Sequence, residues 1–562
     1  MIVVGIIGRP DSPWCHDATA CLVVDGRVVV ALEQERLSRR RFAPGEGPEE
    51  TLRLLLAEQG LRPSDVDAIG YAWADATPEI ARRVDSALPC GVLGTDRLTE
   101  TVFPTLAAEL RNKEIFFFDH HLCHAAQTYW FNPHRDADVL VADGTGGAGS
   151  TSLFRVRDGR FELLDRYSPL WSIGIFYEAA AFYAGLGWDA AGKLMGLSSY
   201  GRPSGRRFMT FDDGAGEFRL DPALRGLPSG GFTEERLAHE WTAIFEASAF
   251  PYAAGASNTF DYATFATDVQ ETVEDVGMAL ARRLRRRSGH DALLVAGGVA
   301  LNAHLNRRLA LESGYRRVSS TTAPHDGGAA IGAGLLAASV LGEPVRRRDP
   351  ADPLPIFLGP AVGTAAIEAA LDAESVPRQA LEPEKLRAQV AEALDRGEIV
   401  AWFDGPIEVG PRALGARSLL SSPRSRTTLD RLNVIKGRAA WRPAALALTG
   451  AGFDAIDIEP AVAGLTEYML CVHRVGERDW DRVATGVHVD GTTRAQHVAD
   501  GSEFGALLGA VGRVSGLPGL INTSLNLRGR PMVLTPAHAV ELFAEAPEVD
   551  LLVMPPYLVR RP

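Results

Sequence analysis

The chain has 562 residues, too many for one ordinary domain, so two to four domains are expected. Its 46% hydrophobic and 23% charged residues are typical of a globular protein, and the net charge of −13 argues against a general nucleic-acid binder. The five cysteines lack CxxC spacing, and no apolar run approaches the ~20 residues that span a bilayer. We therefore expect a reduced, cytoplasmic protein.

The first half of the chain alternates strand and helix patterns. Residues 1–8 are predicted to form a strand rather than a signal peptide, because no basic segment accompanies the short apolar run. Asp-Gly pairs at Asp25 and Asp158 each predict a hairpin between two apolar strands. Helices are predicted over residues 50–60, 77–88, 175–186, 189–200 and 264–287.

A segment rich in proline and arginine, residues 341–360, lacks periodicity and is the best candidate for a linker. An amphipathic helix over about 384–396 follows it. We therefore predict a first domain over 1–345, a linker over 346–360 and a second domain over 361–562. Both halves of the first domain contain a strand that ends in an acidic or glycine-rich turn, a pattern compatible with an internal duplication.

Residues 116–145 carry the strongest chemical signal. An apolar strand is followed by Asp119, which can cap the next helix, and His120 and His124 then lie one turn apart on one helix face. Two imidazoles on one face predict a metal site. The alternatives are that His121 is the ligand, or that one histidine caps a carbonyl group.

A second apolar strand in this region ends at Asp143, followed by Gly144 and Thr145. The backbone N–H groups of such a turn can face a phosphate, although the turn can also be an ordinary hairpin. A further acidic, glycine-rich turn occurs at residues 324–328. Together these features predict a divalent metal beside a nucleotide phosphate.

Further along, a buried strand runs into Gly297 and Gly298, which would let a flat ring approach the backbone closely. Asn302 and Asn306 follow at helical spacing and could bond a ribose or a base. The alternative is a tight strand–helix turn with an exposed polar face.

Two weaker candidates also belong to the first domain. His16 stands beside Asp17 and could act as a general base. Lys193 offers a cation in a glycine-rich segment, although a lysine there is more often a solvated helix residue.

The second domain has loops in which arginine, asparagine and serine are framed by glycine and proline. Arginine binds phosphate and carboxylate oxygens bidentately, so we predict a pocket for a small anion. Surface salt bridges would explain the charge but not the glycine and proline frame. The candidate residues are Arg412, Arg417, Ser418, Lys436, Arg442, Arg494, Asn522, Ser524 and Asn526.

In order and spacing, these segments resemble the carbamoyltransferase family that includes nodulation and antibiotic-tailoring O-carbamoyltransferases. The resemblance covers nearly the whole chain. The motifs that carry it are HDA (16–18), DHHLCHA (119–125), DGTG (143–146), GKLMGLSSYG (192–201), AGGVALN (296–302), EVGPRALGARS (408–418), KGRAAWRP (436–443), VDGTTR (489–494) and NTSLN (522–526).

The resemblance implies an α/β fold with an actin-like ATPase domain of the sugar kinase and Hsp70 type, similar to the subunit that transfers threonylcarbamoyl to tRNA. A YrdC-like α/β domain should follow it. The implied enzyme uses ATP and carbamoyl phosphate to make carbamoyl adenylate, with loss of phosphate and pyrophosphate. It then transfers the carbamoyl group to a hydroxyl of a small-molecule natural product, releasing AMP. Fe(II) or another divalent metal and Mg²⁺ are the implied metals.

The resemblance also assigns roles by position. An iron-type metal site is implied for His120, His124, Asp143 and Asp326. Nucleotide contacts in the first domain are implied for Gly297, Gly298, Asn302 and Asn306. Contacts to carbamoyl phosphate and nucleotide in the second domain are implied for Arg412, Lys436, Arg442, Arg494 and Ser524. An acceptor-side base role is implied for His16. The chain departs from the family at Leu525, where phenylalanine is usual, which affects packing rather than charge.

Alternative functions are an N-carbamoyltransferase, a small-molecule kinase on the same actin-like scaffold, or a non-catalytic nucleotide sensor. A kinase would not need the arginine-rich second domain, and a sensor would have lost charged site residues that are all present here. The expected partner is a small-molecule acceptor, with no nucleic acid and no membrane, and base rates favour a homodimer.

Overall fold

Two sheets with the same strand order form the framework of the first domain, in a computed structural model that describes residues 1–10, 16–73, 102–147, 149–224, 226, 234–248 and 258–561. The first sheet contains β1 (Ile2–Ile7), β2 (Thr19–Val24), β3 (Arg27–Glu33), β4 (Ala68–Tyr71) and β5 (Glu114–Phe117). The second sheet begins with β6 (Asp136–Ala142), β7 (Thr151–Arg157) and β8 (Arg160–Tyr167). A two-stranded ribbon of β9 (Met209–Asp212) and β10 (Glu217–Leu220) follows, and β11 (Ala292–Ala296) and β12 (Arg317–Ser319) complete the second sheet.

In each sheet an antiparallel meander of three strands is extended by two parallel strands. The first sheet has the order β3-β2-β1-β4-β5, and the second has the equivalent order β8-β7-β6-β11-β12. The repeated order supports the predicted duplication. It also agrees with the actin-like first domain that the resemblance implies.

The two predicted Asp-Gly hairpins are confirmed. Asp25 and Gly26 have φ angles of 48° and 71°, and Asp158 and Gly159 have φ angles of 47° and 78°. Left-handed backbone at both central positions is the geometry of a tight turn that suits the right-handed twist of paired strands. Aspartate and glycine tolerate this conformation better than other residues, which is why the pairs were informative.

Four predicted helices, over 50–60, 175–186, 189–200 and 264–287, are present with ends shifted by one to three residues. The predicted helix over 77–88 lies outside the described residues. The helices are α1 (Gln34–Ser38), α2 (Glu49–Glu58), α3 (Ala107–Leu110), α4 (His120–Trp130), α5 (Ile173–Tyr183), α6 (Ala191–Ser198), α7 (Glu234–Ala247), α8 (Ala263–Ser288), α9 (Ala303–Glu312) and α10 (Asp326–Val340).

Helix α10 lies at the centre of the first domain and is almost entirely buried between β1, β4 and α4. Its glycines allow contact between backbones. A Cβ atom on Gly332 would lie 1.9 Å from the carbonyl oxygen of Cys123 in α4, and a Cβ atom on Gly5 in β1 would lie 2.1 Å from the carbonyl oxygen of Ala330. Because α10 begins at Asp326, this packing fixes the position of that carboxylate.

The second domain is built on one mixed sheet with the order β13-β21-β20-β14-β15-β19-β16-β18-β17. Its strands are β13 (Gln379–Ala380), β14 (Val400–Phe403), β15 (Arg417–Ser421), β16 (Ala445–Leu448), β17 (Val472–Arg474), β18 (Thr492–His497), β19 (Gly519–Ser524), β20 (Leu551–Met554) and β21 (Tyr557–Arg560). Its helices are α11 (Thr364–Ala373), α12 (Pro383–Asp395), α13 (Arg426–Lys436), α14 (Gly450–Asp454), α15 (Glu503–Ser515) and α16 (Pro536–Glu545). The fold is therefore mixed α/β in both domains.

The two domains share part of their apolar core. Leu465, Leu470 and Cys471 of the second domain are buried in the same cluster as Leu305 of α9. Residues 346–360, predicted as a linker, form neither a helix nor a strand. Within the described part of the chain, no helix is long and apolar enough to cross a membrane.

We predict that Gly332→Ala destabilises the protein by about 1–3 kcal/mol, because the added methyl group would press on the backbone of α4. Chemical denaturation would measure the free energy of unfolding. The matched control is Gly509→Ala in α15, where the nearest atom to the methyl group is Arg513 Nη1 at 4.0 Å and the substitution should stabilise by about 0.5–1 kcal/mol. Equal effects of the two substitutions would contradict the close packing of α10 against α4.

Candidate metal and anion sites

Four side chains from three elements converge in the first domain: His120 and His124 of α4, Asp143 after β6, and Asp326 at the start of α10. The Nε2 atoms of the two histidines are 3.0 Å apart. Asp143 Oδ2 lies 3.0 Å from His124 Nε2 and 3.4 Å from His120 Nε2. Asp326 Oδ1 lies 3.3 Å from His120 Nε2 and 3.6 Å from His124 Nε2.

These separations fit a bound metal ion. Four ligand atoms at about 2.1 Å from one ion are about 3.0–3.4 Å from each other in octahedral or tetrahedral geometry. Two imidazole nitrogens and two carboxylate oxygens suit Fe(II), Zn²⁺ or Mn²⁺. The described residues contain no other group of this kind.

The ring orientation of His120 is fixed by a hydrogen bond that Nδ1 donates to the carbonyl oxygen of Ala72, 3.1 Å away. A carbonyl oxygen can only accept, so this contact leaves Nε2 free to bind a metal in the neutral imidazole. His121 has a different position, since its Nδ1 contacts Ser152 Oγ at 2.8 Å and neither nitrogen belongs to the group of four. The alternative that His121 is the ligand is therefore not supported.

The charges in this group depend on each other. Burial disfavours a charged imidazole, but the carboxylates of Asp326 and Asp143 outweigh it and raise the pKa of His120 well above its usual value. Burial and the Asp326 charge would raise the pKa of Asp143, yet the two imidazoles hold it below its usual value. Without a metal, the site therefore holds protons at neutral pH.

Backbone N–H groups hold the Asp143 carboxylate in place. Its Oδ1 accepts hydrogen bonds from the N–H groups of Gly144 (2.8 Å) and Gly298 (3.0 Å), which leaves Oδ2 facing the imidazoles. Gly297 has a φ angle of +85°, and a Cβ atom there would lie 2.2 Å from the carbonyl oxygen of Ala142. The two glycines thus allow a turn to close onto the end of β6. Their role here is to orient the Asp143 carboxylate.

The side chains predicted to contact a nucleotide are half-buried or fully buried. Asn302 caps α9 by accepting from the N–H of Leu305, and its side chain also bonds Gln270. Asn306 is fully buried, and its amide donates to the carbonyl oxygens of Ala300 and Leu470. Both N–H groups of the Asn306 amide are used within the protein, so neither can donate to a nucleotide in this structure. Thr145 is almost fully buried.

His16 is paired with the next residue in the chain. Its Nδ1 is 3.0 Å from Asp17 Oδ2, and its charge contributes to the lowered pKa of Asp326. The side chain is 41% exposed, so the imidazole is open to an incoming molecule. Lys193 Nζ donates to the carbonyl oxygen of Leu186 at 3.0 Å, and partial burial and the charges of Arg442 and Arg41 lower its pKa.

A second group of charges, which we call the cation cluster, contains Arg412, Lys436, Arg438, Arg442 and Arg494. Removal from water and mutual repulsion lower the pKa of every member, to about 10 in Arg412 and about 9 in Arg438. No carboxylate within the described ranges forms an ion pair with any member, and the buried Nε atoms of Arg412 and Arg494 have no hydrogen-bond partner. Arg438 was part of a sequence motif but not among the predicted site residues.

Lys436 is held by the asparagine-rich loop. Its Nζ donates to the carbonyl oxygen of Ser524 (2.7 Å), to Ser524 Oγ (2.9 Å), and to Asn526. Ser524 and Asn526 therefore lie at the cation cluster. Asn522 is buried below it and donates to the carbonyl oxygen of Ala413 and to Gln496.

Arg417 and Ser418 are separated from the cation cluster. The Arg417 guanidinium stacks on Phe403, 3.6 Å from the ring centroid, and donates to the carbonyl oxygens of Asp404 and Gly405. Ser418 is fully buried beside it in β15. Both residues belong to the start of β15, which follows the Arg412 loop. Because both side chains are fully buried, neither is exposed to an external anion in this structure.

The first domain contacts the second around Trp441 and Asp490. Tyr200 Oη donates to the carbonyl oxygen of Trp441 at 3.1 Å, and Ser199 Oγ donates to Asp490 at 2.8 Å. A Cβ atom on Gly196 would lie 3.1 Å from the Trp441 ring. The segment that carries Lys193 thus packs directly on the loop that carries Arg442.

We predict that the protein binds about one equivalent of Fe(II), Zn²⁺ or Mn²⁺. Binding should release protons and weaken as the pH falls, because His120 must lose the proton that its raised pKa retains. Calorimetry in two buffers of different ionisation enthalpy would measure the proton release. His124→Asn should remove most binding, and His121→Gln should retain it. Equal metal content in the two variants would refute this ligand set.

Comparison with known proteins identifies the family. Residues 7–335 match the description "Carbamoyltransferase N-terminus", and residues 391–561 match "Carbamoyltransferase C-terminus". Nodulation protein NolNO of Sinorhizobium fredii is 28% identical over 561 residues, covering 98% of this chain and 80% of that protein. The 3'-hydroxymethylcephem-O-carbamoyltransferase of Amycolatopsis lactamdurans is 27% identical over 540 residues, covering 92% of each chain.

Among solved structures, the activator of 2-hydroxyisocaproyl-CoA dehydratase from Clostridium difficile with bound ADPNP aligns with a TM-score of 0.33 and 13% identity, covering 61% of this chain and 96% of that one. The two family matches include the metal site and the cation cluster in a single chain. The protein therefore belongs to the carbamoyltransferase family.

Proposed function

We propose that the protein is an ATP-dependent O-carbamoyltransferase that forms carbamoyl adenylate in its second domain and uses it in its first. Carbamoyl phosphate and ATP are the co-substrates, and the acceptor is a hydroxyl of a small-molecule natural product. Membership of the family supports carbamoyl transfer. The similarity to 3'-hydroxymethylcephem-O-carbamoyltransferase supports a hydroxyl on a small molecule as the acceptor class.

The cation cluster is the observation that carries this proposal. Half-buried cations that repel each other and lack carboxylate partners are costly unless an anion binds among them. Arginine forks fit phosphate oxygens in particular, and a lysine fixed by Ser524 and Asn526 adds a point charge. A kinase acting through the first domain alone would have no use for such a pocket.

The first step, formation of carbamoyl adenylate, consumes one molecule of water. Carbamoyl phosphate is hydrolysed to carbamate and phosphate, and a carbamate oxygen then attacks the α-phosphorus of ATP, releasing pyrophosphate and forming carbamoyl adenylate. The cation cluster would hold the leaving anions and stabilise the charge that develops on them. Its half-buried position would also limit premature hydrolysis of the intermediate.

The second step transfers the carbamoyl group in the first domain. The acceptor oxygen attacks the carbamoyl carbon, the bond to AMP breaks, and the hydroxyl proton is taken up by His16, whose Nδ1 contacts Asp17. A divalent ion held by His120, His124, Asp143 and Asp326 would neutralise charge on the departing phosphate. The open side of His16 is where an acceptor could approach.

The first test is to incubate the protein with ATP, Mg²⁺ and carbamoyl phosphate and to separate the nucleotides. We expect pyrophosphate and AMP to appear only when carbamoyl phosphate is present. Hydroxylamine would serve as a surrogate acceptor and should increase AMP formation. ADP as the product, or AMP formation independent of carbamoyl phosphate, would contradict the proposal.

A second prediction separates the two half-reactions. His120→Ala should reduce transfer to the acceptor by about 100-fold or more, since it removes a metal ligand beside the acceptor-side histidine. ATP–pyrophosphate exchange, which reports adenylate formation in the second domain, should change much less. Transfer at the wild-type rate would show that the metal assignment is wrong.

A further inference from the structure

One charged segment of the first domain contacts the second domain. It consists of residues 39–43, between α1 and α2, and we call it the Arg41 loop. Arg39 Nη1 donates to the carbonyl oxygens of Pro531 (3.4 Å) and Met532 (3.1 Å) in the second domain. At its other end, the carbonyl oxygen of Phe42 accepts from the N–H of Asp17 at 2.7 Å. The loop therefore connects the second domain to the segment that carries His16.

The backbone of the Arg41 loop is held in an uncommon conformation. Arg39, Phe42 and Ala43 have φ angles of 59°, 64° and 46°, in the left-handed region that residues other than glycine rarely adopt. The N–H of Phe42 donates to Glu35 Oε2 at 2.6 Å, and Ala43 is fully buried. These contacts over-determine the loop and fix where Arg41 stands.

Arg41 is an exposed cation on a segment whose neighbouring arginines contact the second domain, Arg39 at Met532 and Arg36 at Gly410. Burial is the main cause of the lowered pKa of Arg412, Lys436, Arg442 and Lys193, and the charge of Arg41 lowers these pKa values further. Its side chain stacks on Phe42, 4.5 Å from the ring centroid. No carboxylate in the described part of the chain forms an ion pair with it. A fixed loop thus adds a positive charge where positive charge is already in excess.

The first domain also positions the cation cluster directly. The N–H of Gly410 donates to Glu33 Oε1 at 2.6 Å, and Arg36 Nη2 donates to the carbonyl oxygen of Gly410 at 2.8 Å. Gly410 has a φ angle of +108°, and a Cβ atom there would lie 2.3 Å from the carbonyl oxygen of Thr322. Arg412 follows two residues later, so its place is set by contacts with the first domain.

We propose that Arg41 binds the phosphate group of carbamoyl phosphate together with Arg412 and Arg442, so that the first domain completes the carbamoyl phosphate pocket of the second. This inference rests on the proposed function. An anion between Arg41 and the cation cluster would convert repulsion into charge-assisted hydrogen bonds. It would also link occupancy of the pocket to the His16 segment through the bond between Phe42 and Asp17.

The test compares Arg41→Gln with Arg40→Gln. Arg40 is the adjacent, exposed arginine, and it pairs with Glu46 at 2.9 Å rather than with the cluster. Arg41→Gln should raise the KM for carbamoyl phosphate about tenfold in ATP–pyrophosphate exchange, with little change in kcat or in the KM for ATP. Arg40→Gln should match the wild type, and Arg41→Lys should restore most of the loss, because it keeps the charge.

Binding of inorganic phosphate, measured by calorimetry, provides a readout that does not depend on catalysis. Arg41→Gln should weaken it about tenfold and reduce its dependence on salt. If the wild type makes no pyrophosphate with carbamoyl phosphate, the proposed function fails, and phosphate binding still tests Arg41. Unchanged KM and phosphate affinity in Arg41→Gln would overturn the inference. A rise confined to the KM for ATP would overturn it as well, since Arg41 would then contact the nucleotide.

Discussion

Backbone contact between α4 and α10 is the constraint on which the metal site depends. Gly332 lets α10 meet the Cys123 carbonyl on the same turn of α4 that carries His120 and His124. Packed helices are usually about 8–10 Å apart because side chains separate them, and a glycine contact reduces that distance. At the shorter distance, the first residue of α10, Asp326, reaches the imidazoles. The site is thus a consequence of how the core of the first domain is packed.

The two charged sites are electrostatic opposites, one in each domain. The metal site combines carboxylates with imidazoles and favours a cation, whereas the cation cluster has an excess of positive charge and favours an anion. Each arrangement is costly by itself, and such costs are typical of sites that bind ligands. The shared core around Leu470 and the hydrogen bond between Tyr200 and Trp441 hold the two domains together.

Local signals gave the reliable part of the sequence analysis. The Asp-Gly turns, the Asp119 cap and the helical spacing of His120 and His124 each depend on residues within one turn of the chain, and all are present in the structure. Other expectations depend on the direction of side chains, which local signals do not determine. Asn306 has the right spacing for an external contact, but its amide is consumed by carbonyl groups of two separate segments. No pattern in the sequence gives the position of those carbonyls.

By itself, the sequence determined which chemical groups the protein possesses: paired imidazoles on one helix face, acidic glycine-rich turns, and arginines in constrained loops. These properties are local, because helix periodicity and turn preferences act over a few residues. The tertiary structure decided which of the groups meet. It stacked Arg417 on Phe403, directed the N–H of Gly298 to Asp143, and brought the loop that carries Arg41 to the second domain through the contact of Arg39 with Met532. Such long-range encounters depend on how helices and sheets pack, and packing is a property of the whole fold.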